Sequence, residues 1–207
     1  MSHRIVLAAL LLWAPCALAD DLESPVAETL PEETLPDESQ PAELPPIGER
    51  TLVIPVEGVN IEDVPDTFGD PRSNHSHKAI DIPAPLGTPV LAAEDATVAR
   101  LVSNKPGGIT IYLVDPSETY YYYYAHLDGY ADGLTVGQQV KQGEVIGYVG
   151  TTGNAPPDVP HLHFEINVLR PDKRVTGGTP VNAYPILLKS AAEDSAVDSP
   201  APQTGVE

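Results

Sequence analysis

The hydrophobic positions of this chain fall into short runs rather than helical stripes. Ile109 to Val114 alternates, with Ile109, Ile111 and Leu113 on one face. Thr97 to Val102 is rich in β-branched and apolar residues, and Thr119 to Leu127 is dominated by tyrosine. Val145 to Val149, His161 to Val168 and Ile80-Asp81-Ile82 are further short runs. Runs of this length and composition predict strands. Turn-forming sequences separate them: Pro85-Leu86-Gly87, Asn104-Lys105-Pro106-Gly107-Gly108, Asp115-Pro116, Asp132-Gly133 and Thr152-Gly153-Asn154. No amphipathic helix of useful length stands out. The expected fold class is all-β, one compact and mostly antiparallel β-sheet domain over residues 51–188.

The flanks have a different texture. His3 and Arg4 precede an apolar stretch from Ile5 to Trp13, and Ala17-Leu18-Ala19 supplies small residues before Asp20. This pattern predicts a signal peptide over residues 1–19. Its apolar run is too short to span a bilayer. The single cysteine, Cys16, lies inside it and is the alternative anchor point of a lipoprotein. Trp13-Ala14-Pro15 fits that alternative poorly. Cleavage after Ala19 leaves a chain with neither disulfide nor thiol nucleophile. Residues 20–50 are rich in Glu, Asp and Pro and read as a disordered spacer, and residues 189–207 as a disordered acidic tail.

The formal charge of −19 over 207 residues excludes the basic footprint of a nucleic-acid binder and polybasic docking onto a membrane. Export and a monomeric state are the expectation.

Five of the six histidines lie outside the expected signal peptide: His75 and His77, His126, and His161 and His163. In the strand-like His161-Leu162-His163, residues two apart share a face, roughly 7 Å apart at the backbone. That spacing suits one metal ligand beside one group that reaches a metal-bound water. Leu162, Phe164 and Ile166 then point into the core. His77 and Asp81 form H-x-x-x-D, but in extended chain they would be roughly 13 Å apart. Sharing one ion requires a bend between Ser76 and Ala79. Two histidines and a carboxylate leave a fourth tetrahedral position open, the pattern of a catalytic zinc site. His126 ends a strand in which alternation puts Tyr120, Tyr122, Tyr124 and His126 on one face, and Tyr121 and Tyr123 on the other.

Together these motifs make the stretch from Ile54 to Val168 resemble the catalytic domain of lysostaphin/LytM-type peptidases. The resemblance rests on Asp66-Thr67-Phe68-Gly69-Asp70-Pro71-Arg72 leading to His77-x-x-x-Asp81-Ile82, on Tyr124-Ala125-His126-Leu127, on the glycine series from Gly137 to Gly153, and on His161-Leu162-His163-Phe164. It implies an antiparallel sheet domain with a groove, and one Zn2+ per chain held by His77, Asp81 and His163. It implies His161 and His126 as the non-ligand histidines of catalysis. The implied reaction is endopeptidase cleavage of peptidoglycan stem peptides or cross-links. Ala79 stands where the family usually has Gly, and the loop from Asn154 to Pro160 is longer than in the simplest members.

Three other readings compete. A non-catalytic LytM-type activator of a cell-wall amidase would lack zinc ligands, which this chain keeps. A lipoyl or biotinyl carrier is suggested by Val140-x-x-Gly143-x-x-Ile146-Gly147, but Lys141 is not at a hairpin tip. A plain wall-binding module leaves the clustered histidines unexplained. Two assignments are open: His161 as the general base with His126 stabilising the oxyanion or positioning water, or the reverse.

Overall fold

The computed structural model describes residues 46–72 and 75–197. The expected signal peptide, the spacer up to residue 45 and the last ten residues lie outside the described residues.

Among the described residues nine strands form one sheet: β1 (Ile80–Pro83), β2 (Pro89–Leu91), β3 (Ala96–Asn104), β4 (Gly108–Val114), β5 (Tyr120–Tyr130), β6 (Gln139–Val140), β7 (Val145–Val149), β8 (His161–Val168) and β9 (Thr179–Val181). The main order is β1-β8-β5-β4-β3-β6, with β7 joined to β2 and β5, and β9 to β8. Every strand pair is antiparallel. The expected β class holds, and the longer apolar runs fall inside strands. The three short strands β2, β6 and β9 were not anticipated, because two or three residues are too few to display a period.

The core anchors one face of β8. Leu162, Phe164 and Ile166 are fully buried, as the alternation predicts. Phe164 stacks on Tyr122 at 6.2 Å between ring centroids and meets Tyr124 at 5.1 Å. Each such side chain contributes roughly 1.5–3 kcal/mol by leaving water. A one-residue slip of β8 would expose all three and bury His161 and His163, so packing sets the register of the site.

β5 departs from simple alternation. Tyr120 to Ala125 pair with β8, whereas Leu127 to Tyr130 pair with β7. Against β4, Ile111 faces Tyr124 but Ile109 faces Leu127, so β5 carries one extra residue. His126 sits there with φ of 61°. This bulge corrects the expected alternation: Tyr122, Tyr124 and Leu127 are fully buried in the core, and His126 turns to the opposite face, beside His161 and His163.

Two further expectations are corrected at the domain's ends. A helix, α1, runs over Tyr184–Val197, past the limit set at residue 188. Its N-terminus is capped by Asn182, whose Oδ1 accepts from Tyr184 N at 3.0 Å. Ile186, Leu187 and Ser190 are its buried contacts, too few to make a legible stripe in a segment otherwise rich in Ala, Ser and acidic residues. Before residue 51, Ile47 and Arg50 are also buried. Arg50 pairs with Glu94 at 2.8 Å and Asp115 at 3.1 Å. The end of the acidic spacer is therefore packed onto the domain.

Candidate metal centre

The site is built on the face of β1, β5 and β8 opposite the core. Asp81 on β1 lies directly across from His163 on β8. The residues before β1 fold back on themselves: His77 N donates to Asp70 O, and Gly69 N to His77 O, each at 2.8 Å. The chain then bends at Ala79 and enters the strand. This supplies the bend that H-x-x-x-D requires. Thr67 pins both halves of the motif. Its carbonyl accepts from His77 Nδ1 at 2.9 Å, and its hydroxyl accepts from Asp81 N at 2.9 Å.

Three donor atoms converge. His77 Nε2 is 3.2 Å from His163 Nδ1 and 3.2 Å from Asp81 Oδ1, and His163 Nδ1 is 3.0 Å from Asp81 Oδ1. A tetrahedral ion with bonds of about 2.0–2.2 Å sets its ligands about 3.3–3.6 Å apart. The triangle is thus nearly of the size that zinc needs, and its two imidazoles and one carboxylate suit zinc better than calcium. His77, Asp81 and His163 could hold a metal ion.

Each donor is oriented from behind. The Thr67 carbonyl can only accept, so His77 carries its proton on Nδ1 and turns a bare Nε2 to the site. Glu165 Oε1 lies 3.1 Å from His163 Nε2, which leaves Nδ1 for the metal. Arg72 Nη2 donates to Asp81 Oδ2 at 2.7 Å while Oδ1 faces the two rings.

The other two histidines adjoin this triangle. His126 Nδ1 donates to Thr152 O and His161 Nδ1 to Val159 O, both at 2.8 Å. Their Nε2 atoms are therefore hydrogen-bond acceptors. The two rings lie 5.0 Å apart, and His161 Nε2 is 3.9 Å from Asp81 Oδ1. The tether of His126 depends on close backbone packing: a Cβ on Gly153 would meet Gly108 N at 2.3 Å, and the φ of Gly153 is 77°.

Charge follows from these contacts. Loss of solvent pushes His126 down from 6.5 to about 4, against the pull of the Thr152 carbonyl, so it is neutral at pH 7. Burial works against the imidazolium of His163 as well, but hydrogen bonds to Asp81 and Glu165 outweigh it and raise the group to about 9. Burial opposes ionisation of Asp81, yet His163 and His77 hold it well below the usual carboxylate range. A metal ion and a proton would therefore compete for His163.

A cleft of about 490 Å3 opens over the site, walled by Arg72, His75, Pro83, Pro156 and Val159. A second hollow of about 320 Å3 adjoins it beyond His163, with Lys78, Tyr123 and Glu165 in its lining. The two share His75, His77, His126, Asn154 and His163, and so form one groove across the donor triangle. A larger hollow of about 550 Å3, near Asp95 and Lys141, has no histidine in its lining.

All five expected site residues thus meet in one place. The supporting groups were not foreseen. Thr67, Thr152 and Val159 act through backbone carbonyls, which leave no residue-type signature. Glu165 was legible, two residues beyond His163 on the same strand face.

An open-sided His-Asp-His centre in a groove over an antiparallel sheet defines the metallopeptidase class. The chain belongs to peptidase family M23, whose profile matches residues 75–183. It is 36% identical over 126 residues to the L-Ala--D-Glu endopeptidase of Bacillus subtilis (strain 168), a match covering 57% of this chain and 38% of that protein. It is 39% identical over 93 residues to peptidoglycan DD-endopeptidase ShyC of Vibrio cholerae, covering 45% of this chain and 20% of the relative. In structure it resembles the catalytic domain of lysostaphin from Staphylococcus simulans, with a TM-score of 0.53 and 26% identity, over 61% of this chain and 94% of that one. The chain spans well under half the length of the two curated relatives. Among the described residues no helix is long and apolar enough to cross a membrane.

Proposed function

We propose that this protein is a zinc-dependent endopeptidase that hydrolyses peptide bonds in the stem peptides or cross-links of peptidoglycan. The observation that carries the reading is the convergence of His77 Nε2, Asp81 Oδ1 and His163 Nδ1, with two acceptor Nε2 atoms beside them. Of the relatives named above, one is a peptidoglycan DD-endopeptidase and another an L-Ala--D-Glu endopeptidase, which supports the substrate class.

His77, Asp81 and His163 would hold the zinc, which would supply Lewis acidity to a water molecule and to the scissile carbonyl. The chain's own groups do the rest. His161 Nε2 takes the proton of the attacking water and returns it to the leaving amine. Its Nδ1–H, held by Val159 O, keeps that nitrogen a base. His126, neutral because it is buried, accepts a hydrogen bond at Nε2 and orients the water. It takes this positioning role in preference to donating to an oxyanion, because its only N–H is committed to Thr152 O. The groove extends on both sides of His163.

Export fits this substrate. Residues 1–19 act as a signal peptide, and the mature enzyme works as a monomer in the periplasm. The reading is tested by incubating the zinc-loaded chain with defined muropeptides and identifying products by mass spectrometry. Release of new peptide termini that stops on chelation and resumes with Zn2+ is expected. Zinc-loaded protein that cleaves nothing, yet stimulates a cell-wall amidase, would replace this reading with the activator.

A further inference from the structure

His163 is the one donor of the triangle whose ring is backed by a charged side chain. Glu165 stands two residues along β8 from His163, so both rise from the same face of the strand. Its Oε1 is 3.1 Å from His163 Nε2, and its Oε2 accepts from Asn167 Nδ2 at 2.9 Å. Asn167 continues the same face and is itself buried, with 3% of its surface exposed. Across the sheet, Tyr123 pairs with Glu165 and Tyr121 with Asn167. On the reverse face Phe164 and Ile166 are fully buried, so this row of polar side chains cannot slide along the strand.

An ionised carboxylate only accepts, so the contact requires a proton on His163 Nε2. In the neutral ring that can bind a metal the lone pair is then on Nδ1, the atom 3.0 Å from Asp81 Oδ1 and 3.2 Å from His77 Nε2. Turned to the other tautomer, His163 would direct N–H at the metal position and a lone pair at the carboxylate, both unfavourable. His77 has the opposite arrangement, with Nδ1–H tethered and the Nε2 lone pair facing the metal position, and its tether is a neutral carbonyl.

We propose that Glu165, steadied by Asn167, is a positioning residue that holds His163 in the tautomer and orientation needed to ligate the metal through Nδ1. The anionic acceptor also makes His163 a stronger electron donor to a cation. This inference rests on the zinc site of the proposed function, but not on the substrate.

The test uses the full chain and Zn2+ alone, with affinity read by competition against a chromophoric chelator. Glu165→Ala should weaken zinc binding by about 10- to 100-fold, the usual effect of losing a partner behind a ligating histidine. Glu165→Gln keeps an accepting oxygen without the charge, and its affinity should fall between the two. Circular dichroism of each metal-depleted variant separates unfolding from lost affinity. Wild-type affinity in Glu165→Ala would overturn the inference. If that variant does not fold, wild-type affinity in Glu165→Gln overturns it instead. A wild-type chain that binds no zinc would remove both this inference and the metallopeptidase reading.

Discussion

Replacing His161 and His163 separately divides two histidines that share one strand face. His163 Nδ1 lies 3.0 and 3.2 Å from the other two donors, so His163→Ala removes one of three metal contacts. Two ligands are too few for tight zinc binding, and metal and activity should be lost together. His161 Nε2 reaches only to 3.9 Å from Asp81 Oδ1. His161→Ala leaves the triangle whole, and the chain should purify with one zinc. What it lacks is the proposed proton acceptor. Loss of a general base costs about 10²- to 10⁴-fold in rate, or roughly 3–5 kcal/mol in the barrier. The assay is zinc per chain by atomic emission, beside hydrolysis of defined muropeptides, for both variants after one purification protocol. Zinc-free His161→Ala with zinc-loaded His163→Ala would exchange the two roles. Zinc and full activity in both would refute the metallopeptidase reading.

Other perturbations follow from the same geometry. Asp81→Ala removes the anionic donor and strips Arg72 of its 2.7 Å partner, leaving an unpaired cation beside the site, so zinc content and activity should fall together; stoichiometric zinc would show that Asp81 is not a ligand. A folded-state value for His126 of about 4 against 6.5 means that the unfolded chain binds the proton more readily between these limits, so the stability owed to neutral His126 is full above pH 6.5 and is lost as the pH falls toward 4. That is about 3 kcal/mol, and metal-depleted wild type should lose more stability than His126→Gln on acidification; parallel denaturation curves across that range would contradict it. Gly153→Ala brings a Cβ within 2.3 Å of Gly108 N at a φ of 77° and should cost a few kcal/mol of stability while loosening the Thr152 tether of His126; an unchanged melting temperature would count against that packing. A chain trimmed to residues 46–197 should keep its turnover on soluble fragments, whereas ending it at residue 183 removes Ile186, Leu187 and the Ser190 hydroxyl that accepts from Leu52 N at 2.9 Å, and should lower the melting temperature by many degrees.

The sequence by itself determined the β class, the longer strands and the face shared by His161 and His163. Those features are local. A two-residue period and glycine- or proline-bearing turns are written within a few positions and survive in almost any sheet that buries one face. Four motifs in family order likewise brought His77, Asp81, His126, His161 and His163 into one candidate site. Simple alternation failed at His126, which it assigned to the side of Tyr124. The extra residue that turns this ring around arises where β5 exchanges β8 for β7, and the choice of partner strand is made by closure of the whole sheet. The helix α1 escaped notice because its few buried residues matter only against a surface formed by Leu52 and the segment around Ile61, more than a hundred positions earlier. The orientation of the His77 and His126 rings was equally a tertiary outcome. Thr67, Thr152 and Val159 hold the imidazoles by carbonyl oxygens that all residues possess, so only the folded chain could decide which nitrogen faces the metal.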